Sequence, residues 1–446
     1  MIKTAMERTL ILDCNEKVGG TVKVCGWVQV RRDHGKIIFL DVLDRSATIQ
    51  VIAQGDMAKD LRPQDVVCIE GEVSKRPENL VNSNISTGTI ELQVKSIEVL
   101  SKAEELPFDM GGKDLDLQLP TLLDYRGLTL RHPKVKAIFK VYEVVVDAFR
   151  EVLKKHDFTE FQSPVIIPQT AEGGAEVFEV KYFDYKAYLA QSPQFYKQIL
   201  VGVYERVFTV NKTLRAEPSV TTRHITESVT LDAEMGFIDS WTEIMDEVEY
   251  VIKHIFKRVE EECESALKLH GVTVPKVPAS IPRIKMRDAQ EIIYKRTGVD
   301  HRKEPDMAPD DEREICKWSL EEHGSELVFV THYPTKKRPF YTMPDPEDPE
   351  HTLSFDLIGR GVEWLTGGQR LNDLNQLTKN ANKRGVDLRK SELYLQAFRY
   401  GMPPEGGWSF GSERITQGIL GLANIREATL FPRDMERVDV RLSTLK

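Results

Sequence analysis

The sequence has few cysteines, no long apolar run and no excess of positive charge, and each shortage excludes a class of protein. The cysteines form neither a Cys-x-x-Cys pair nor a cluster with histidine; they are Cys14, Cys25, Cys68, Cys263 and Cys316. This usage predicts free thiols in a reducing compartment rather than a disulfide framework or a zinc site. No apolar run approaches the ~20 residues of a membrane helix, and the N-terminus carries acidic residues without an apolar signal core. We therefore expect a cytoplasmic protein that does not bind membranes.

Length and charge set two further limits. A chain of 446 residues is long enough for two or three domains, each with its own core. A net charge of −9 argues against nucleic-acid binding over the whole surface, although it allows a local basic track on an acidic body.

Residues 20–100 are rich in short β-type segments separated by turn-forming stretches. Five strands within about 85 residues are typical of a small Greek-key barrel of the OB type. Such barrels often bind single-stranded nucleic acid through base stacking and a basic groove. We assign this domain to residues 1–103, and a barrel with a purely structural role explains the same strands equally well.

The rest of the chain differs from residues 20–100 in composition and in its predicted secondary structure. Residues 104–128 are polar, contain two prolines and a glycine pair, and indicate a linker or hinge. Residues 129–446 contain amphipathic helical patterns at 133–158 and 241–270, strands between and after them, and a surface excursion at about 271–325. Because strands and helices do not alternate regularly, we predict an α+β fold whose antiparallel sheet is flanked by helices.

Residues 211–238 predict a strand, a polar loop and a returning strand. Arg215 and Glu217 end the first strand, and Arg223 and His224 lie on the loop. Guanidinium groups offer planar, bidentate donors to phosphate oxygens. The pattern therefore favours a polyphosphate site, with a merely solvated hairpin tip as the alternative.

A glycine-containing turn near the C-terminus leads into a second candidate site segment. Gly406, Gly407 and Gly411 precede Glu413 and Arg414, which open an apolar helix. Glycines allow close approach of a ligand, and an arginine at a helix start can meet a phosphate or stack on an aromatic base.

Together these segments resemble the three motifs of the class II aminoacyl-tRNA synthetases, in order. They are a long helix with a strand ending at Pro164; LRAE followed by TTRH and LDAEM; and FGSER before a helix. The N-terminal barrel is similar to that of the aspartyl, asparaginyl and lysyl subclass. Within it, segments such as AEGGAEVFEVKYF, AYLAQSPQFYKQ, RPFYTMP, LTGGQR and NIREATLFPRD resemble aspartyl-tRNA synthetases of the compact, archaeal-like kind. The resemblance covers nearly the whole chain.

The resemblance implies an ATP-dependent ligation of L-aspartate to tRNA(Asp), with Arg215 and Arg414 as catalytic residues. The residues implied to bind ATP are Arg215, Ala216, Glu217, Arg223, His224, Ile225, Glu363, Gly411, Ser412, Glu413 and Arg414. Those implied to bind aspartate are Glu172, Ser192, Gln194, Phe195, Tyr196, Lys197, Arg215, Asp232, Thr366 and Arg370. Mg²⁺ is expected at Glu363 and Thr366, the central uridine of the anticodon at Phe39 and Gln50, and a homodimer around the long helix.

Three positions depart from the family pattern. Ser228 stands where an adenine-stacking aromatic is usual, Ser409 replaces the first glycine of Gly-x-Gly, and Leu214 replaces a phenylalanine. An asparaginyl enzyme, an enzyme that also charges tRNA(Asn) with aspartate, and a non-catalytic RNA-binding protein remain alternatives. Lys197 and Arg370 favour aspartate because its side chain needs cations, whereas asparagine needs both donor and acceptor.

Overall fold

Alternating apolar residues close the N-terminal part of the chain into a barrel. In the computed structural model, which describes residues 6–169 and 177–445, Val22, Val24 and Val28 point inward from one strand and are fully or almost fully buried. A short helix, α1 (Gly55–Ala58), follows the third strand. The strands, which close in the order β1-β2-β3-β5-β4, are β1 (Thr21–Asp33), β2 (Ile37–Leu43), β3 (Thr48–Gln54), β4 (Val66–Lys75) and β5 (Ile90–Ser101). The predicted OB-type barrel is confirmed.

Two of the five thiols are paired, and the prediction of free cysteines is wrong for them. Cys25 and Cys68 lie directly opposite each other on the antiparallel strands β1 and β4 and form a disulfide, with Cα atoms 4.1 Å apart. Only the strand register brings the two together, because 43 residues separate them in sequence. Cys14, Cys263 and Cys316 are free and buried.

The chain divides after Leu117 into two compact units, within the stretch predicted as a linker. The predicted long helix at 133–158 is α4 (Pro133–Lys155), and the one at 241–270 is two helices, α6 (Thr242–Glu262) and α7 (Glu264–His270). The helices of the second unit are α2 (Leu119–Asp124), α3 (Arg126–Thr129), α4 (Pro133–Lys155), α5 (Gln194–Tyr204), α6 (Thr242–Glu262), α7 (Glu264–His270), α8 (Met286–Thr297), α9 (Pro309–His323), α10 (Leu374–Lys383), α11 (Glu392–Arg399) and α12 (Ser412–Leu420). None of the helices in the described part of the chain has the length and apolarity that crossing a bilayer requires.

An eight-stranded sheet forms the centre of the second unit, in the order β12-β13-β14-β15-β16-β11-β10-β6. Its strands pair antiparallel except at the two edges, where β12 and β6 run parallel to their neighbours. A smaller sheet has the order β7-β9-β8. The strands are β6 (Thr159–Glu160), β7 (Ile166–Ile167), β8 (Glu179–Tyr182), β9 (Tyr185–Leu189), β10 (Arg206–Leu214), β11 (Glu227–Gly236), β12 (Arg283–Lys285), β13 (Leu327–Thr331), β14 (Ser354–Gly359), β15 (Val362–Gln369) and β16 (Glu405–Gly411).

The main core covers one face of the large sheet. Apolar side chains of α4, α6 and α12 pack against alternate residues of the sheet, such as Phe208, Leu231 and Phe410. The opposite face of the central strands carries the polar residues described below. The segment 271–325, predicted as a surface excursion, supplies the edge strand β12 and helix α9 to this unit.

Candidate active site

The register of the β10–β11 hairpin places the predicted charged residues on one face of the sheet. Thr209 pairs with Asp232, Thr213 with Ser228, and Leu214 with Glu227. Because side chains alternate along a strand, Arg215, Asp232 and Ser228 share the face opposite the core. The Arg215 backbone N–H donates to Thr226 O at 2.9 Å, which closes the loop at the end of the hairpin.

The end of the hairpin gathers cations around a histidine. Burial lowers the pKa of His224, and so do the nearby guanidiniums of Arg414, Arg215 and Arg223, whereas Glu217 raises it. His224 Nδ1 lies 2.7 Å from Thr221 Oγ1. The structure therefore brings together the residues predicted from two separate motifs, and a neutral imidazole among three arginines is suited to an anionic ligand.

Arg223 is held by a contact that sequence reasoning missed. Its Nη1 lies 2.6 Å from Glu312 Oε2, and its Nη2 donates to Gly361 O at 3.0 Å. Glu312 belongs to α9, in the segment predicted as an excursion. The sequence offered no signal for this pair, because 89 residues separate its members.

Ser412 and Glu413 open α12 and are both buried. The Ser412 hydroxyl donates to Val229 O at 2.8 Å, and Glu413 accepts from Val229 N at 3.2 Å. Burial raises the pKa of Glu413 to about 7. Their side chains thus tie the helix to β11, and their assignment to ATP stays a prediction. Ile225, also assigned to ATP, is buried.

Glu363 and Thr366 lie on β15 on either side of a bulge. Leu357 pairs with Leu365, but its neighbour Ile358 pairs with Glu363, so β15 contains one extra residue. A bulge of this kind re-aims the side chains that follow it. Glu363 and Thr366, three positions apart, can therefore face the same cleft although strict alternation would separate them.

Asp356 and Arg338 lie next to Thr366, and neither was predicted as a site residue. Asp356 pairs with Thr366 across β14 and β15. Arg338 reaches Asp356 Oδ1 at 2.8 Å and donates to Thr366 Oγ1 at 3.0 Å. Burial, together with the Asp356 carboxylate, raises the pKa of Glu363 to about 7. A cation bound near Glu363 and Asp356 would therefore be favoured, because it would offset the repulsion between their carboxylates.

This donor set fits Mg²⁺. The ion takes oxygen ligands, often one or two carboxylates with the remainder from substrate phosphates and water. Among residues 6–169 and 177–445, no group of three or more His, Cys, Asp or Glu side chains is arranged to hold a metal by itself. A site that is completed by a phosphorylated substrate agrees with both observations.

A closed charge cluster lies deeper on the same face. Lys197, which is 1% exposed, reaches Asp232 Oδ1 at 3.2 Å and Glu234 Oε2 at 3.0 Å. It also donates to Trp408 O at 3.1 Å. Arg370 donates through Nε to Glu234 Oε1 at 2.7 Å and through Nη2 to Gly407 O. Lys197, Asp232 and Arg370 thus lie in one cluster, and their role in binding aspartate stays a prediction.

Glu234 links the two cations and was missed. The signal was present, because Asp232 and Glu234 are two positions apart on one strand and so share a face. Gly407 makes room for it: a Cβ at that position would overlap the Glu234 carboxylate. The prediction of a turn at these glycines is wrong, because Gly406, Gly407 and Gly411 lie in strand β16, where Gly407 leaves space for a buried side chain.

Helix α5 divides its predicted residues between two sides. Gln194 and Lys197 are three apart and both buried. Phe195 instead stacks on Tyr394, with ring centroids 4.2 Å apart, and belongs to a separate apolar cluster. Tyr196 is half-buried. The helical period explains why consecutive residues cannot all meet one small substrate.

Three further positions were predicted to lie near the aspartate or the adenine: Ser192, Glu172 and Ser228. Ser192 Oγ accepts from Gln194 N at 3.3 Å, and Glu172 lies outside the described residues. Ser228, at the position of the usual aromatic, exchanges a hydrogen bond of 2.9 Å with Thr213. At this position no ring is available to stack on a base, and Arg414 is the remaining stacking candidate.

Phe39 and Gln50 lie on the outer face of the barrel. Inward positions of β2 and β3 are fully buried, whereas these two alternate with them and are half-buried. Phe39 packs edge-on against His34 with centroids 5.4 Å apart, and Gln50 donates to Glu91 Oε2 at 3.1 Å. Phe39 is therefore not a barrel-core aromatic, and both side chains can meet a ligand.

The fold and site together define a class II synthetase with an OB-type domain, and comparison with known proteins supports this. Residues 118–435 match the family of tRNA synthetases class II (D, K and N), and residues 22–100 match the OB-fold nucleic acid binding domain. The chain belongs to this class II synthetase family.

Individual members of this family are similar to the chain over nearly its whole length. The chain is 41% identical to the aspartate–tRNA(Asp/Asn) ligase of Aeropyrum pernix, over 98% of this chain and 100% of that one. It is 38% identical to the aspartate–tRNA(Asp) ligase of Pyrococcus abyssi, over 94% and 96%. Among solved structures, the asparaginyl-tRNA synthetase of Pyrococcus horikoshii with asparaginyl-adenylate is similar with a TM-score of 0.87 and 31% identity, covering 98% of this chain and 100% of that one.

Proposed function

We propose that the protein is an aspartate–tRNA ligase that activates L-aspartate with ATP and transfers it to tRNA(Asp). The observation that carries the proposal is the buried pair of cations, Lys197 and Arg370, on the same face as the arginine-rich hairpin end. Besides their contacts with Asp232 and Glu234, the two cations carry N–H donors that suit a second carboxylate on the amino acid. The amide nitrogen of asparagine is itself a donor and would not be matched by them. The names of the aspartate-specific relatives support the same substrate.

The reaction needs positioning rather than a nucleophilic side chain. An aspartate α-carboxylate oxygen attacks the α-phosphorus of ATP, and pyrophosphate leaves with the electron pair of the broken P–O bond. A ribose hydroxyl of tRNA then attacks the acyl carbon, and AMP leaves. Both steps bring anions together, so cations in fixed positions lower the barrier.

The chain's residues divide this work. Arg215 is placed to bridge the α-carboxylate and the α-phosphate, and Arg223 with His224 to hold the outer phosphates. Glu217 would accept from the adenine amino group, and Arg414 would pack on the adenine ring. Mg²⁺ held by Glu363 and Thr366, with Asp356 close by, would neutralise phosphate charge when bound.

ATP–pyrophosphate exchange with aspartate and with asparagine tests the proposal. We expect exchange with aspartate and little with asparagine. Exchange with asparagine alone would instead establish an asparaginyl enzyme, the specificity of the solved structural relative. No exchange with either amino acid would favour the non-catalytic alternative.

Recognition of the anticodon is proposed for the outer face of the barrel at Phe39 and Gln50. Gln can both donate to and accept from a uracil edge, and an exposed ring can stack on a base. Phe39→Ala is expected to weaken tRNA charging by about 1–3 kcal/mol, the usual value of one stacked base. It should leave ATP–pyrophosphate exchange intact, because the exchange residues lie in the other unit.

The matched control is Val99→Ala, which truncates an apolar residue of the barrel that is 40% exposed. It should leave the KM for tRNA unchanged. Equal charging by the Phe39→Ala variant and the wild type would remove Phe39 from the anticodon site.

A second candidate function is the charging of tRNA(Asn) with aspartate as well. The name of the Aeropyrum pernix relative favours it. The two anticodons differ only in their third base, so a few contacts of the barrel would determine whether tRNA(Asn) is accepted. Gln29 and the turn at 75–82 are the positions to examine. Charging purified tRNA(Asp) and tRNA(Asn) side by side separates the two specificities.

We further propose a homodimer built around α4 and the strand that ends at Pro164, and action in the cytoplasm, where the proposed substrates occur. Directly after that proline, Val165 and Ile166 are 38% and 49% exposed. Apolar residues at a closed two-fold interface would be covered by the same surface patch of a second copy. Sedimentation equilibrium gives the mass that checks this.

A further inference from the structure

Glu405 is a completely buried acid beside the proposed aspartate pocket, and the reaction as described does not use it. It begins β16 and is 0% exposed. Its Oε1 accepts from Gln198 Nε2 at 2.8 Å, and Gln198 Oε1 accepts from the Tyr394 hydroxyl at 3.1 Å. Its Oε2 is buried and has no hydrogen-bond partner within the described residues.

The cations near Glu405 are already matched by other carboxylates. Lys197 contacts Asp232 and Glu234, and Arg370 contacts Glu234. Two cations and two carboxylates balance, so a third ionised carboxylate would be buried without a counter-ion of its own. Such a group normally takes up a proton instead.

The surroundings of Glu405 agree with this charge balance. Burial raises the pKa of Glu405 well above its usual value, and the Glu234 carboxylate raises it further, while the Gln198 hydrogen bond, Arg370 and Lys197 act in the opposite direction. The Tyr394 hydroxyl of α11 also lies close enough to interact with Glu405. Arg370 in turn lies 5.5 Å from the Tyr341 ring.

We propose that Glu405 is a specificity-determining positioning residue: as a neutral acid it holds Gln198 in place and adds no negative charge to the pocket in which Lys197 and Arg370 are proposed to meet the aspartate side chain. The backbone contributes to the same arrangement, because Arg370 N donates to Glu405 O at 2.9 Å. If Glu405 ionised, the pocket would gain a negative charge and repel the aspartate side chain. The proposal rests on the proposed function.

The test is the pH dependence of the KM for aspartate in ATP–pyrophosphate exchange, for the wild type and for Glu405→Gln. The amide has the size of the acid but cannot ionise. The ratio of wild-type KM to variant KM is expected to rise by up to about tenfold per pH unit once Glu405 begins to ionise, with little change in the ratio of kcat values. Taking the ratio cancels the titration of the substrate and of groups that both proteins share.

Glu322→Gln, at an exposed position of α9, is the matched control, and its ratio to the wild type should stay constant with pH. Infrared difference spectra between the wild type and Glu405→Gln should show the C=O band of a protonated carboxyl at neutral pH. This second readout needs no activity, so it separates the failure of this proposal from the failure of aspartate activation as such.

Tyr394→Phe, which removes the hydroxyl that holds Gln198, should raise the KM for aspartate while keeping the wild-type pH dependence. The absence of the carboxyl band at neutral pH would overturn the proposal. So would a wild-type KM for aspartate well above that of Glu405→Gln at about pH 7, because Glu405 would then already be charged in the wild type.

Discussion

Arg215→Ala is expected to abolish ATP–pyrophosphate exchange while leaving tRNA binding largely intact. Arg215 directly follows β10 on the open face of the sheet, where its guanidinium lies close enough to His224 to affect the pKa of that residue. A donor that stabilises developing charge is typically worth about 10²–10³ in rate. Because Arg215 is proposed to contact both substrates, we place its loss at or above the upper end of that range.

Single-turnover adenylate formation and a filter-binding assay with tRNA measure the two properties separately. Arg399→Ala is a suitable control, since Arg399 pairs with Glu392 on a surface helix and should affect neither. An Arg215→Ala enzyme that keeps exchange within about tenfold of the wild type would remove Arg215 from the bridging role.

The second large effect is expected from Lys197→Gln. The substitution would leave Asp232 and Glu234 buried with Arg370 as their nearest remaining cation. Removing one partner from a buried ion cluster typically costs about 3–5 kcal/mol, because an uncompensated charge stays behind. We expect a loss of stability of this order and a KM for aspartate raised at least about a hundredfold, since 1.4 kcal/mol corresponds to a factor of ten.

Urea denaturation measures the free energy of unfolding, and exchange kinetics measure the KM. Lys257→Gln is the matched control: its side chain is 69% exposed and 3.9 Å from Glu261, so its removal should cost little. A Lys197→Gln protein as stable as the wild type would show that the cluster relaxes around the lost charge, and unchanged aspartate KM would refute the substrate role.

The parts of the candidate site that could be predicted are those whose residues lie close together in the sequence. Arg215, Glu217, Arg223 and His224 lie on one hairpin, and their clustering follows from the strand–loop–strand pattern alone. The second acid of the pocket, Glu234, was within reach of the same reasoning, because a period of two places it beside Asp232.

Other contacts could not be predicted because they depend on register and on distant segments. Arg338 meets both Asp356 and Thr366 only because the register of β14 and β15 sets these two residues opposite each other. Glu312 reaches Arg223 from a segment that composition marked as an excursion. The same limit explains the error on Cys25 and Cys68, whose pairing needs the register of two strands.

The sequence by itself determined the barrel, the helices and the end of the hairpin where anions are expected to bind, since these follow from periodicity and from residue types that lie close along the chain. It also marked Lys197 and Arg370 as site residues through their resemblance to a family. Only the tertiary structure decided how the buried charges balance. Lys197 and Arg370 are each held by Glu234, and within the part of the chain that the structure describes Glu405 forms no ion pair of its own. The reason is physical: the protonation of a buried acid depends on the charges near it, and those near Glu405 come from three separate segments of the chain.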